Sequence, residues 1–149
     1  NEKFGRQYNV VESYKTEDAD VLFITMGGIS ETCMTAVDAM REKGEKVGIV
    51  RLRLWRPFPE EELLEAIKGA KTLAIIDRAL STGGPGGPVA SEIKSALYGK
   101  SHQPQIVEFI AGLGGRDITV GDFDDMYEKA KKVLSGGDIP PFEIIGVRS

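Results

Sequence analysis

Val21-Leu22-Phe23-Ile24-Thr25 is an unbroken, mainly apolar run that ends at Gly27-Gly28. A short apolar run closed by turn glycines marks a strand buried on both faces of a parallel sheet, because such a strand has no solvent side toward which to alternate. A helix is expected next. Ser30 is placed to cap it, Glu31 stands in its first turn, and Cys33, Ala36, Val37 and Met40 recur at helical spacing until Gly44 stops it. Together these residues make one βα unit.

The unit repeats along the chain. Val47–Leu52 reads as a strand, Pro57 and Pro59 punctuate its exit, and residues 60–68 read as a helix. Glu60, Glu61 and Glu62 occupy the positive end of that helix, where the dipole favours acids, and Leu63, Leu64 and Ile67 form its apolar side. A third strand at 72–76 precedes the loop Ser81-Thr82-Gly83-Gly84-Pro85-Gly86-Gly87-Pro88 and a helix over 89–98. Gln105–Ile110 forms a fourth strand, followed by Ala111-Gly112-Leu113-Gly114-Gly115-Arg116 and a helix over 122–134. Strands alternating with helices predict right-handed crossovers and a mainly parallel sheet covered on both faces, an α/β fold in three α/β/α layers. Residues 10–14 offer an additional edge strand.

The expected organisation is a linker or edge strand over 1–20, one α/β domain over 21–135 and an irregular tail over 136–149, where Gly136, Gly137, Pro140 and Pro141 cluster. A length of 149 residues suits one domain with one real core, and 41% hydrophobic with 28% charged residues argues against a disordered chain. The opening residue Asn1, rather than Met, suggests excision from a larger polypeptide.

Charge and donor chemistry exclude several functions. The net charge is −4 and the basic residues are scattered, which disfavours nucleic-acid binding. Cys33 is the only cysteine and His102 the only histidine, so no thiolate cluster, intrachain disulfide or histidine-rich metal site can be assembled. Iron–sulfur or zinc sites belong elsewhere. No apolar run approaches the roughly 18 residues that span a bilayer, so no membrane contact is expected and a cytoplasmic setting is the default.

In open α/β sheets ligands collect at the carboxyl ends of the strands, and three of the four loops there are glycine-rich. Gly27, Gly28, Gly83, Gly84, Gly114 and Gly115, with Arg116 beside them, are therefore the candidates for cofactor or phosphate contact. None of these loops carries the dinucleotide fingerprint or the P-loop lysine, so tight turns and close packing are the preferred reading. Arg51, Arg53 and Arg56 alternate with Leu52, Leu54 and Trp55; they present either a guanidinium row to an acidic partner or a solvated strand face. Trp55-Arg56-Pro57-Phe58-Pro59 reads as a rigid aromatic anchor for a neighbouring domain. Arg116 and Asp117 form a ligand clamp or, preferentially, a capping ion pair. Cys33 reads as a small core residue and His102 as solvent-exposed. No catalytic residue and no metal ligand is assigned.

Three stretches then act together: Thr25-Met26-Gly27-Gly28; Val47-Gly48-Ile49-Val50-Arg51-Leu52-Arg53-Leu54-Trp55-Arg56-Pro57-Phe58-Pro59; and Gly112-Leu113-Gly114-Gly115-Arg116-Asp117-Ile118-Thr119. They resemble the C-terminal domain of the α subunit of 2-oxoacid:ferredoxin oxidoreductases, of which the pyruvate:ferredoxin type fits best. The resemblance runs over about residues 4–134. The domain is similar to the C-terminal domains of transketolase and of the β subunit of 2-oxoacid dehydrogenases. The Arg-Pro-Phe-Pro turn is shared by all of these, while the glycine-rich segment ending Arg116-Asp117-Ile118 favours the ferredoxin-linked enzymes.

The resemblance implies a transketolase C-terminal-like, five-stranded sheet with one antiparallel edge strand. It implies oxidative decarboxylation of a 2-oxoacid, pyruvate first, to an acyl-CoA with thiamine diphosphate, Mg2+, CoA and 4Fe–4S clusters, electrons passing to ferredoxin. Those cofactors would be held by other domains and by subunits of β, γ and δ type. This chain would bind none of them alone, and would contribute an interface of Arg51, Arg53, Trp55, Arg56, Phe58, Arg116 and Asp117. The alternatives are a stand-alone CoA- or nucleotide-binding module, a purely structural assembly domain, and the corresponding domain of a 2-oxoacid dehydrogenase β subunit.

Overall fold

A computed structural model of the chain describes residues 8–138 and 140–146; the first seven residues, where the linker reading begins, lie outside it. The strands are β1 (Val11–Tyr14), β2 (Val21–Met26), β3 (Val47–Leu52), β4 (Thr72–Asp77), β5 (Gln105–Ile110) and β6 (Glu143–Ile144). The α-helices are α1 (Ile29–Glu42), α2 (Glu60–Ala66), α3 (Pro88–Leu97) and α4 (Val120–Leu134). One sheet runs in the order β1-β3-β2-β4-β5-β6, parallel throughout except for β1, which pairs antiparallel with β3.

The apolar run 21–25 lies inside this sheet as β2. Val21 and Phe23 point to one face, where they join Cys33, Met40, Phe109, Phe123 and Met126 beneath α1 and α4. Leu22 and Ile24 point to the other, among Leu52, Leu63, Ile67, Ile75 and Ile93 beneath α2 and α3. A strand that feeds two cores cannot alternate with polar residues, which explains its unbroken apolarity. Phe23 and Phe123 meet edge to face at 5.5 Å and fix α4 to the sheet. Cys33 is buried and its thiol pKa is pushed well up by desolvation, as a small core residue requires.

Four local expectations are revised. The sheet has six strands rather than five, because residues 143–144 of the tail pair with Phe109 and Ile110. Two residues are too few for any periodic signal, and the pairing is held by Ile145 N–H on the Ile110 carbonyl at 2.8 Å and by a Lys129–Glu143 ion pair. Ser30 does not cap α1. The turn at Gly27, with φ +81°, starts the helix early, and the fully buried Ser30 hydroxyl lies 2.9 Å from Thr25 Oγ1 instead. The last helix begins at Val120, set by a capping box in which Thr119 and Asp122 each receive the other's backbone N–H. His102 is half-buried rather than exposed, with Nε2 enclosed and without a hydrogen-bond partner among the described residues.

The topology places a crevice. From β2 the chain moves to β3 on one side, then returns past β2 to β4 on the other. The connections leaving β2 and β4 consequently climb opposite faces, since α1 packs into one core and α3 into the other. The carboxyl ends of β2 and β4 thus flank the switch point, where open α/β sheets leave room for a ligand.

Candidate functional site

At that switch point lies a mainly apolar cavity of about 230 Å³, lined by Met26, Trp55, Ile76, Asp77, Arg78, Ala79, Pro88 and Val89. Its floor is dictated by β4: an apolar strand that ends in Asp77 brings a carboxylate to the rim, and Arg78 follows immediately. Asp77 is 2% exposed and accepts hydrogen bonds from the Val89 and Ala90 amides at 3.0 Å each. It therefore caps α3 from outside the helix, since Gly87 at the N-cap has no side chain to do so. Burial raises its carboxyl pKa above the usual carboxylate value, against the opposing pull of those two amides.

A second buried carboxylate completes the clamp. Glu108, on the neighbouring β5, is buried; it accepts the Gly87 amide and pairs with Lys94 Nζ at 2.8 Å. Side chains at positions 86 and 87 would collide with these groups: a Cβ at Gly86 would overlap Glu108 and one at Gly87 would overlap Asp77. This half of the glycine loop is glycine because two carboxylates press on the backbone, which is the packing reading rather than the phosphate one. Gly83, with φ +70°, and Gly84 lie at the tip of the loop, away from both rim cavities.

Arg78 also lines an adjoining cavity of about 210 Å³ with Gly28, Ile29, Thr32, Gly115, Arg116, Asp117 and Ile118. Gly28, Gly115, Arg116 and Asp117 are thus brought together, while Gly27 and Gly114 stand outside this lining. Arg116 and Asp117 do not form the expected capping pair. Arg116 donates to the Gly146 carbonyl, α4 is capped by Thr119, and Asp117 has no ion pair among the described residues.

The arginine row is internally paired. Arg51 reaches Glu31 at 2.7 Å and Glu12 at 3.7 Å, Arg53 reaches Glu12 at 2.6 Å, and Arg56 reaches Glu92 at 2.8 Å. Arg56 also stacks 4.5 Å over the Trp55 ring. Trp55 meets Phe58 edge to face at 5.5 Å, and both pack partly on their own core while Trp55 keeps one side on the cavity. The Arg56–Pro57 peptide in this turn is cis.

Residues 19–123 match the family described as pyruvate:ferredoxin oxidoreductase core domain II. The chain belongs to that family. Pyruvate synthase subunit PorA of Pyrococcus furiosus is 44% identical over 98% of this chain and 37% of its own length. Ketoisovalerate oxidoreductase subunit VorA of Pyrococcus horikoshii is 43% identical over 93% of this chain and 35% of its own length. The chain thus spans little more than a third of the curated relatives it matches. Among solved structures, a 2-oxoglutarate:ferredoxin oxidoreductase from Magnetococcus marinus aligns with a TM-score of 0.66 at 20% identity, over 83% of this chain and 20% of that one. A split-gene transketolase aligns with a TM-score of 0.63 at 16% identity, over 86% of this chain and 44% of that one. Those two likenesses establish the transketolase-like fold.

In this core domain II the residues that sequence reasoning passed over are Asp77, Arg78 and Glu108. A signal for two of them was present: Asp77 ends an apolar strand and Glu108 interrupts another, and a carboxylate inside a buried strand must find donors. The donors found are the Val89 and Ala90 amides in the first turn of α3 for Asp77, and the Gly87 amide with Lys94 for Glu108.

One cysteine and one histidine cannot ligate an iron–sulfur cluster, and Cys33 is buried besides. Among the described residues no group of three or more His, Cys, Asp or Glu side chains is placed to hold a metal ion, and no helix is long and apolar enough to cross a membrane.

Proposed function

We propose that this chain is the C-terminal domain of the α subunit of a cytoplasmic 2-oxoacid:ferredoxin oxidoreductase, pyruvate being the favoured 2-oxoacid. The observation that carries the reading is the 44% identity to a pyruvate synthase subunit over 98% of the chain. The domain supports oxidative decarboxylation to an acyl-CoA without supplying a catalytic residue. Thiamine diphosphate with Mg2+, the 4Fe–4S clusters and CoA are held by other domains and by subunits of β, γ and δ type, and ferredoxin collects the electrons.

The domain's own contribution is its carboxyl rim. Met26 is 38% exposed and Leu80 42% exposed there, beside the half-buried Trp55, so the rim carries apolar surface that a neighbouring domain can cover. The Asp77–Glu108 clamp keeps that surface rigid by fixing the loop against α3. The near-equal identity to a ketoisovalerate oxidoreductase subunit favours a substrate choice made outside this domain.

The test is turnover by the full-length subunit co-purified with its partners. CoA-dependent reduction of ferredoxin by pyruvate, faster than by 2-oxoisovalerate, is expected. Failure of every 2-oxoacid to reduce ferredoxin in the assembled complex overturns the reading.

A further inference from the structure

We propose that the crevice between the carboxyl ends of β2 and β4 binds a small amphipathic oxyanion, its carboxylate or phosphate taken by Arg78 and its apolar part by Met26, Trp55, Ile76 and Val89. The inference concerns the crevice as the chain alone presents it, before any neighbouring domain covers the rim, and its test does not depend on the enzyme reading above.

The first observation is electrostatic. Arg41, Arg51, Arg53, Arg56 and Arg116 all have acceptors within the chain. Arg78 has none among the described residues, although it lines both rim cavities. A guanidinium presents a planar fork of donors suited to two oxygens of one anion, and here that fork is unused.

The second observation is that Arg78 packs against Gly112. Gly112 has φ +72°, and a Cβ there would stand 3.0 Å from Arg78 Nε. A glycine at this point lets the Arg78 side chain lie close along the backbone between the two rim cavities. Asp77, the carboxylate in the lining, faces the Val89 and Ala90 amides, whose dipoles offset part of its charge, and forms no ion pair with Arg78 among the described residues. Asp117 shares the adjoining cavity with Arg78, has no ion pair among the described residues and disfavours an anion on that side.

The third observation is size and lining. An apolar cavity of about 150 Å³ holds a benzene-sized guest, so about 230 Å³ accepts a chain of five or six carbons beside the anionic head. Small-molecule sites combine this kind of apolar wall with a few fixed polar groups, and the switch point is where an α/β sheet provides one.

Trp55 lines the cavity and is the only tryptophan in the chain, so its emission reports occupancy. The experiment titrates the chain with hexanoate, hexyl phosphate and the neutral hexanamide, following Trp55 fluorescence in wild type, Arg78→Lys and Arg78→Gln. A saturable change is expected with at least one of the two anions, with binding at least about tenfold weaker in Arg78→Gln and for hexanamide in wild type, and an intermediate loss in Arg78→Lys. The tighter of hexanoate and hexyl phosphate identifies the natural head group as carboxylate or phosphate. Arg78 is exposed, so the urea midpoint of Arg78→Gln should match wild type; the wild-type comparison of hexanoate with hexanamide needs no variant at all. No saturable response to either anion, equal affinity in Arg78→Gln, or equal affinity for hexanamide would each overturn the proposal.

Discussion

Gly87 lies so close to Asp77 that a methyl group at position 87 would overlap the Asp77 carboxylate. That carboxylate cannot retreat, because the Val89 and Ala90 amides hold it at 3.0 Å. Gly86 stands in the same relation to Glu108, which Lys94 anchors at 2.8 Å. Two strands, one loop and the start of α3 are locked by contacts that only glycine permits.

Gly87→Ala and Gly86→Ala should each destabilise the domain by about 2 kcal/mol, the usual cost of overpacking a rigid site. Gly121→Ala, in the first turn of α4 with nothing nearer than 3.7 Å, should be neutral or stabilising by up to about 1 kcal/mol. Urea unfolding of the three variants checks the contrast, and an undisturbed Gly87→Ala would show that the clamp yields easily.

Asp77 gives stability a specific pH dependence. Its folded pKa lies above the ordinary 3.8, chiefly through burial, with Glu108 adding to the rise and the two amides and Lys94 opposing it. Above about pH 4 the folded chain keeps a proton that the unfolded chain releases, so this contribution is present at low pH and lost as pH rises through the folded value. The urea midpoint of wild type should accordingly fall relative to Asp77→Asn from about pH 4 upward. A wild-type midpoint that rises relative to the variant would reverse the assigned sign.

Glu45 runs the other way. Lys131 and then Tyr127 hydrogen-bond its carboxylate and hold its pKa below the ordinary 4.5. Its contribution is present above about pH 4.5 and disappears as pH falls through the folded value. Glu45→Gln should therefore flatten the acid limb of the stability profile, which acid titration followed by circular dichroism measures.

The arginine row should matter little to folding. Arg51 and Arg53 share Glu12 at the surface, so Arg53→Ala should cost less than about 1 kcal/mol and the cost should shrink in high salt. Thermal melts at low and high ionic strength test this.

On the proposed function, Trp55→Ala should weaken association with partner subunits while the domain stays folded, since the ring is half-buried and keeps one side on the rim. Sedimentation of the assembled complex, with circular dichroism as the folding control, distinguishes this from simple unfolding.

The sequence made the scaffold legible because β2, β3, β4 and β5 each feed two apolar cores and the helices carry matching stripes. The antiparallel edge strand came from resemblance as much as from pattern. The two-residue β6 could not be read, because its pairing depends on where the tail is carried in space. The rim was legible in its glycines, in Trp55 and in Arg116 and Asp117, but not in Asp77, Arg78 and Glu108. Why positions 86 and 87 must be glycine depends on Asp77 and Glu108 arriving from two different strands, a tertiary coincidence that no local window contains. The Arg116–Asp117 pair failed for the same reason: Gly146, thirty positions away, offers Arg116 a better acceptor.

Hydrogen–deuterium exchange across the proposed full-length subunit, alone and assembled with the proposed partners, tests the role of the carboxyl rim most directly. Protection on assembly should concentrate in peptides covering 26–28, 53–59, 78–88 and 112–118. Unchanged exchange in those peptides, with protection gathering instead around the opposite ends of the strands, would contradict a docking role for this rim.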